Sequence, residues 1–380
     1  MIRHLDTPSP EAFERYTEAI SSIERYRASG NRDFIEKGDL LLDAALTADP
    51  DWKRPVYLKS ILKDLAGDPQ GAIDDLQQLK DVPDSSFGLE VKYNLGAAHY
   101  HRYDEKHLNQ AEELFQEVKS KASSTVEPLA LLASSSLAQV YGMRVQLKKP
   151  GEWATHLSLA KEWYQRCLGE ADEALKGLER WKSSRAFQPG RGEAWVAEEI
   201  EWAAKNAKGF SGSFWSDHLE PKARIAILEN SISLFQEGLE LRPNHWATLS
   251  NLASAKMRLG DALRALGRTA DGEQWLRKAL DHIELVLTPG IRPDYAFAFY
   301  ERGRILRLLA QFRKAIDSLH QAAEIPEELR DVSCDAIVSE IIRAAEGQTG
   351  FPGEPVCCSA IASKVIRATE QRTGFPGKPV

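Results

Sequence analysis

The hydrophobic and polar positions of this chain fall into short amphipathic stretches, in which the apolar residues share one face of an α-helix. The first two stretches, residues 11–29 and 33–50, predict two helices that form a pair ending at Pro50. On this pattern, about seven such pairs are predicted between Glu11 and Pro326. We therefore expect an all-α protein.

One stretch shows most clearly how the helices would meet. It runs SISLFQEGLELRPNHWATLSNLASAKMRLG, residues 231–260. The small residues Gly238 and Ala253 would let helix backbones approach closely, while Phe235 would fill the groove beside them. Pro243 follows the first helix because its ring cannot continue one. The stretch therefore contains the end of one helix pair and the beginning of the next.

The same small positions recur in other parts of the chain. Gly303 and Ala315 take them in AFYERGRILRLLAQFRKAIDSLHQAAEIP, and Ser60 and Ala72 take them in VYLKSILKDLAGDPQGAIDDLQQLKDVP. A weaker copy with a longer turn carries Gly96. Because copies lie near both ends and in the middle, the repeat is predicted to run the length of the chain.

This arrangement of small and large residues resembles the tetratricopeptide repeat family. The resemblance implies a right-handed superhelical solenoid of antiparallel helix pairs, one elongated body rather than several globules. It also implies that the first helix of each pair lines a concave groove, into which its second, fifth, sixth and ninth positions point. The candidate partner contacts at those positions are Arg54, Tyr57, Tyr93, Asn94, Asn251, Tyr300, Glu301 and Arg304.

Two of these candidates are asparagines at the sixth position, Asn94 and Asn251. The resemblance implies that such an asparagine holds the backbone of an extended peptide, and an amide has the donor and the acceptor that a peptide group requires. A clamp for a partner's terminal carboxylate would need Lys and Asn at these positions in consecutive pairs, and the sequence lacks that set. Because Arg54 and Arg304 are also too far apart to act together, binding to chaperone tails is not expected.

Residues 181–221 depart from the repeat. One helix is predicted from Glu193 to Lys208, between loops rich in Gly, Ser and aromatic residues. The segment is interpreted either as a loop that closes over the groove or as a packed connection between two halves. In the first interpretation its apolar contacts would be Phe210, Phe214 and Trp215. The predicted organisation is helix pairs in 1–180, the insertion in 181–221, further helix pairs in 222–327 and a duplicated tail in 328–380.

The tail holds a second, unrelated repeat. CDAIVSEIIRAAEGQTGFPGEPV (334–356) is followed by CSAIASKVIRATEQRTGFPGKPV (358–380), with 15 of 23 positions identical. Each copy predicts a short amphipathic helix ended by TGFPG. The apolar residues of the first helix are Ile337, Ile341, Ile342 and Ala345. The copies could present a bivalent peptide or cap the array, and a duplicated terminus of little consequence is also compatible with the pattern.

Composition and charge narrow the choice of function. Hydrophobic residues make up 43% and charged residues 28%, as in an ordinary folded protein. With 49 basic and 56 acidic residues the net charge is −7, which argues against a general attraction to nucleic acid or anionic lipid. The sequence shows no signal peptide, no run of ~18 apolar residues and no spaced cysteine framework, so we expect a cytoplasmic protein.

The sequence contains no phosphate-binding glycine loop, no nucleophile elbow and no paired-cysteine metal motif. We therefore predict no enzymatic activity, no cofactor and no metal. The densest histidine cluster is His99, His101 and His107, but His99 and His101 would lie about 200° apart on one helix and could not both bind one metal. The adjacent Cys357 and Cys358 lie where the two tail copies join.

These observations predict a scaffold or adaptor that holds a peptide or helix of another protein in its groove. The alternative is an RNA-binding helical repeat, similar to the family's antiviral members, that uses basic residues around the insertion. Those residues are Arg180, Lys182, Arg185, Arg191, Lys205, Lys208, Lys222 and Arg224. An enzyme with a site built from the insertion and the tail is a third hypothesis.

Overall fold

A computed structural model describes residues 8–29, 32–79, 82, 85–122, 127–147, 153–184, 187–188, 193–289, 291–325, 332 and 334–349. Over these residues the regular secondary structure is entirely helical. The helices are α1 (Pro10–Ser29), α2 (Asp33–Ala48), α3 (Lys53–Ala66), α4 (Pro69–Gln77), α5 (Ser86–Tyr100), α6 (Glu105–Ala122), α7 (Glu127–Leu147), α8 (Trp153–Lys182), α9 (Glu193–Trp215), α10 (Pro221–Leu241), α11 (Trp246–Ala265), α12 (Thr269–Val286), α13 (Ala296–Leu308), α14 (Phe312–Glu324) and α15 (Cys334–Thr349).

The chain divides into two compact units, Met1–His218 and Leu219–Val380. In the first unit α1 and α2, α3 and α4, α5 and α6, and α7 and α8 pack as pairs, and α9 packs on both α7 and α8. In the second unit α10 packs on α11, α11 and α12 and then α13 and α14 form pairs, and α15 packs on α14 and α13. The predicted all-α fold of successive helix pairs is confirmed. The boundary between the units lies within 181–221, the segment predicted to be an insertion.

The turn between α3 and α4 shows how the sequence sets the helix ends. Gly67 ends α3 at a φ of 90°, a left-handed conformation that favours glycine. Asp68 then caps α4, because its Oδ1 accepts a hydrogen bond from the Gly71 backbone N–H at 2.8 Å. Pro69 occupies the first helical position, where no backbone N–H is needed. The chain therefore reverses within three residues, as required for two helices to pack as a pair.

In two of the pairs, α5 with α6 and α13 with α14, the helices pack closely at a glycine, as the pattern of small residues predicts. A Cβ added to Gly303 of α13 would lie 2.6 Å from Leu319 Cγ and 3.2 Å from the carbonyl oxygen of Ala315. A Cβ added to Gly96 of α5 would lie 2.8 Å from the ring of Phe115 on α6. These distances are shorter than van der Waals contact, so the packing of both pairs depends on the missing side chain.

In the pair of α11 and α12, the close contact between the two helices lies at Gly260 and not at Ala253, the small position identified from the sequence. Ala253, the predicted small position, is fully buried, but α11 continues to Ala265 before the turn at Gly267. A Cβ on Gly260 would lie 2.8 Å from the carbonyl oxygen of Gly272 on α12. The close backbone approach at Gly260 is therefore about two turns beyond Ala253, because α11 is longer than α3, α5 and α13.

The predicted end of α9 at Lys208 is wrong, because the helix continues to Trp215. The small residues after Lys208 face the neighbouring helices instead of forming a loop. Ser211 is fully buried, and its hydroxyl oxygen accepts a hydrogen bond from the Cys167 thiol of α8 at 3.2 Å. A Cβ on Gly142 of α7 would lie 3.5 Å from the Phe210 ring. Small residues in this segment therefore serve helix contact and not chain reversal.

Replacing Gly303 with leucine is expected to force α13 away from α14 and to reduce the free energy of unfolding by at least about 1 to 3 kcal/mol, the usual cost of overpacking. Thermal unfolding monitored by circular dichroism measures this as a lower Tm. The matched control is Gly169→Leu, since Gly169 is exposed on α8 and a Cβ there meets nothing within 4 Å. Equal Tm values for the two variants would show that the close contact at Gly303 does not limit the packing.

Candidate functional site

Four side chains connect the first helices of three successive pairs in the first unit. Asn94 Nδ2 on α5 donates a hydrogen bond to Tyr57 Oη on α3 at 2.8 Å and a second to the Glu90 carbonyl oxygen at 3.0 Å. The hydroxyls of Tyr93 on α5 and Ser136 on α7 are hydrogen-bonded at 3.1 Å. We call Tyr57, Asn94, Tyr93 and Ser136 the polar row. Three predicted contact residues, Tyr57, Tyr93 and Asn94, are thus brought together.

Asn94 is held in one orientation while part of its hydrogen-bonding capacity is unused. Both of these hydrogen bonds use its Nδ2 group, and its side chain is half-buried. Within the described residues its Oδ1 has no hydrogen-bond partner. The amide therefore offers a fixed acceptor on the surface of α5, suited to a backbone N–H of another chain.

The two tyrosines of the polar row are neutral phenols at physiological pH. Burial raises the pKa of Tyr93 to about 12. Burial raises the pKa of Tyr57 as well, and the nearby Glu90 carboxylate raises it further. Both rings therefore supply apolar area and a hydroxyl group, without charge and without a readily transferable proton.

The candidate contact Arg54 lies at the α3 end of the polar row and is held by aromatic rings. Its guanidinium carbon is 4.7 Å from the centroid of the Phe87 ring. Burial raises the pKa of Tyr16 on α1, and the Arg54 charge partly offsets that rise. Tyr57 meets the same Phe87 ring edge-on at a centroid distance of 5.4 Å. At the other end, Glu199 on α9 acts electrostatically on Tyr93. The row therefore has a cation, Arg54, and an anion, Glu90, on the α3 side, and a second anion, Glu199, on the α9 side.

The remaining candidate contacts lie in the second unit and are arranged differently. Asn251 is half-buried on α11, and its side chain makes no hydrogen bond to the part of the chain that the structure describes. On α13, Glu301 is 1% exposed, and its Oε1 accepts a hydrogen bond from Arg304 Nη1 at 2.7 Å. The Arg304 guanidinium carbon lies 5.7 Å from the centroid of Tyr300. Glu301, Arg304 and Tyr300 therefore contact one another, whereas Asn251 stands apart.

Glu340 of α15, which the sequence pattern did not indicate as a site residue, joins the cluster of Tyr300, Glu301 and Arg304 to the tail helix. Glu340 on α15 is 2% exposed, and its Oε2 accepts a hydrogen bond from Arg307 Nε at 2.9 Å. Arg343 donates to its Oε1, which also lies 4.0 Å from Arg304 Nε. Three arginines thus surround one buried carboxylate. A glutamate on the apolar stripe of an amphipathic helix is the sequence signal that could have indicated it, since a buried carboxylate needs cationic partners.

The interpretation of 181–221 as a loop that closes over a groove is wrong for its aromatic residues. Phe210, Phe214 and Trp215 all lie on α9. Trp215 is 8% exposed and stacks on Tyr164 of α8 at a centroid distance of 5.7 Å, and the Phe210 and Phe214 rings are 4.8 Å apart. Because these rings fill the space between helices, they belong to a packed element of the first unit.

Three of the basic residues around α9 are engaged by carboxylates. Lys182 Nζ lies 3.0 Å and Lys205 Nζ 2.9 Å from oxygens of Glu201, and Lys208 Nζ lies 2.7 Å from Asp172. Arg185 and Arg191 lie outside the described residues. The positive charge available to a phosphate backbone is therefore smaller than the sequence alone indicates.

The histidines of the first unit do not form a metal site within the described ranges. No cluster of three or more His, Cys, Asp or Glu side chains that could hold a metal ion occurs there. His101 Nδ1 lies 2.8 Å from Asp64, while His99 stacks near His107 at a centroid distance of 5.3 Å. Across the same ranges, no helix has the length and apolar character to cross a membrane.

Comparisons with known proteins concern the fold alone. No family model and no curated protein matches this chain. A tetratricopeptide repeat protein from Parabacteroides merdae is similar at 13% identity and a TM-score of 0.46, over 87% of this chain and 99% of that protein. The apo form of RapI is similar at 13% identity and a TM-score of 0.46, over 96% of this chain and 86% of RapI.

A third similar structure is a signal transduction ATPase with a tetratricopeptide repeat sensor from Pyrococcus horikoshii. It has 15% identity and a TM-score of 0.45 over 96% of this chain, which spans 50% of that protein. The helix pairs of this chain and their close glycine contacts are features that the predicted resemblance to the tetratricopeptide repeat implies.

The first unit also contains a buried histidine that should make its stability depend on pH. His99 is 5% exposed, and its Nδ1 has no hydrogen-bond partner among the described residues. Burial and the neighbouring His107 lower the pKa of His99 to about 4, below its ordinary value of 6.5. The folded chain thus binds this proton less readily than the unfolded chain, so the neutral ring stabilises the fold above about pH 6.5.

We expect the free energy of unfolding to fall as the pH decreases from about 6.5 to 4, by up to about 3 kcal/mol from this residue. His99→Phe, which cannot be protonated, should reduce that pH dependence. Urea unfolding at several pH values measures both slopes. Identical slopes for the wild-type chain and the variant would mean that His99 is not the group responsible.

Proposed function

We propose that this chain is a protein-binding scaffold whose first unit holds an extended peptide along the polar row on α3, α5 and α7. The observation that carries the proposal is Asn94, whose Nδ2 is fixed by Tyr57 and the Glu90 carbonyl while its Oδ1 has no partner within the described residues. An extended peptide has unpaired backbone N–H groups, and a preorganised acceptor binds them with little loss of side-chain entropy.

The surroundings of Asn94 suit the side chains of such a peptide. The half-buried rings of Tyr57 and Tyr93 flank it and combine apolar area with a hydroxyl group. Arg54 and Glu90 lie on the α3 side and have opposite charges, whereas Glu199 lies on the α9 side. The peptide should therefore carry a basic residue toward α9, since complementary charges fix direction and specificity.

In this proposal the second unit is less important for peptide binding than the first unit. Glu301 and Arg304 are engaged with each other, and Arg304 also lies beside Glu340 of α15, which leaves them less suited to a peptide than the polar row. Asn251 remains a candidate for a second peptide contact. If the two units bind different partners, the chain acts as an adaptor between them. Both this adaptor role and a location in the cytoplasm are part of the proposal.

The RNA-binding alternative has less support in the charge distribution. Lys182, Lys205 and Lys208 are paired with acids, and the chain as a whole carries a net charge of −7. A groove for a nucleic acid backbone needs cations that are not already neutralised. The two functions differ in their sensitivity to nuclease, which a capture experiment measures.

Selection of a random peptide-display library on the full-length chain tests the proposed site. Peptides enriched by the wild-type chain should lose binding to Asn94→Ala by about tenfold, corresponding to ~1.4 kcal/mol for a hydrogen bond and its orientation. Asn230→Ala is the matched control, because Asn230 is exposed on α10. Fluorescence anisotropy with a labelled selected peptide measures each Kd.

Binding that is unchanged in Asn94→Ala, or weakened equally in Asn230→Ala, would contradict the assignment to the polar row. Affinity capture from native extract with and without nuclease provides the second arm. Bound material that disappears on nuclease treatment would favour the RNA alternative over the peptide scaffold.

A further inference from the structure

The first tail copy is held on the second unit by a contact that depends on charge. Helix α15 buries Ile337, Ile341 and Ala344 against α13 and α14. Glu340 lies on the same side of the helix, 2% exposed, and accepts hydrogen bonds from Arg307 and Arg343. The docking surface therefore requires an acid at this position of the tail helix.

The second tail copy does not meet this requirement. When the copies are aligned, Lys364 stands at the position of Glu340, and Gln371 stands at the position of Gly347. A Cβ on Gly347 would lie 2.7 Å from Cζ of Phe312 on α14, so a glutamine there would require the Phe312 ring to move. Lysine at the other position would place a fourth cation among the arginines. The second copy therefore fits the place that the first copy occupies less well than the first copy does.

The two copies have the same apolar stripe and opposite charge. Ile361, Val365 and Ala368 correspond to the buried Ile337, Ile341 and Ala344. The first copy contains four acidic residues and one basic residue, whereas the second contains one acidic residue and four basic residues. Their net charges are therefore −3 and +3. Because the second copy keeps an apolar face but changes its charges, it should bind an acidic surface with an apolar centre.

The outer side of α15 is such a surface. Asp335 is exposed, and Ile342 and Glu346 are half-buried. At 100° per residue these three lie on one side of the helix, opposite the stripe that packs on α13 and α14. An apolar residue is therefore flanked by two acids on the side of α15 that faces away from that stripe.

We propose that residues 358–380 form a helix that docks antiparallel on this outer side of α15, so that the two tail copies make the last helix pair of the second unit. Lys364 and Arg372 border the apolar stripe of the second copy and would face Glu346 and Asp335. The eight residues 350–357 between α15 and the second copy can span about 26 Å when extended, which is sufficient for the chain to reverse. Chain connectivity also makes this surface more accessible to the second copy than to a separate molecule.

Hydrogen–deuterium exchange of the full-length chain tests the proposal. Amides of residues 360–370 should exchange more slowly than those of an unstructured peptide, and Lys364→Glu should increase their exchange roughly fivefold, since an attractive surface pair becomes a repulsive one. Lys378→Glu is the matched control, with the same charge change placed after the TGFPG sequence. Combining Lys364→Glu with Glu346→Lys should restore slow exchange.

Exchange at the rate of an unstructured chain in the wild-type protein would overturn the proposal, as would equal effects of Lys364→Glu and Lys378→Glu or a failure of Glu346→Lys to restore protection. Light scattering distinguishes a second copy of the chain as the occupant. Protection that increases with protein concentration together with a dimer mass would overturn docking within one chain. Protection that requires added phosphatidylserine vesicles would overturn it in favour of a membrane surface.

Discussion

The close approach of paired helices at residues without a side chain is the constraint on which the structure depends. At Gly303 and Gly96, a single added carbon would overlap Leu319 or Phe115 of the facing helix. Since these two pairs are fixed at this depth, the first helix of each presents a defined side to its neighbours. In the first unit α5 carries Asn94 and Tyr93, and the Tyr93 ring packs on the same Phe115 ring that Gly96 meets, so the geometry of the polar row depends on the contact between α5 and α6.

Buried polar groups give the helices their specific positions where apolar packing alone would be permissive. The bond from Asn94 to Tyr57 fixes α5 against α3, and the bond between Tyr93 and Ser136 fixes α7 against α5. Glu340 has the corresponding role for α15, through Arg307 of α13. Each bond joins residues distant in sequence, and removing one partner would leave the other buried without compensation.

The features that follow from local sequence could be predicted, and those that depend on distant partners could not. Helix limits, the turn at Gly67 and the small positions Gly96 and Gly303 are encoded within about one repeat, so the fold was accessible from the pattern. The predicted α9 is too short because Gly and Ser residues after Lys208 are typical of loops. In the structure they are helical, and this part of α9 packs against Gly142 of α7, a contact that the local sequence does not reveal. Glu340 was missed because its arginine partner Arg307 lies on another helix.

The most direct test of the account is a crystal structure of the full-length chain with a peptide selected on it. The peptide should lie extended along α3, α5 and α7, with one of its backbone N–H groups donating to Asn94 Oδ1 at about 2.9 Å. The hydrogen bond from Asn94 Nδ2 to Tyr57 should persist in the complex. A peptide bound to another surface, or a peptide that leaves Asn94 Oδ1 without a hydrogen bond, would contradict the claim that the polar row is the binding site.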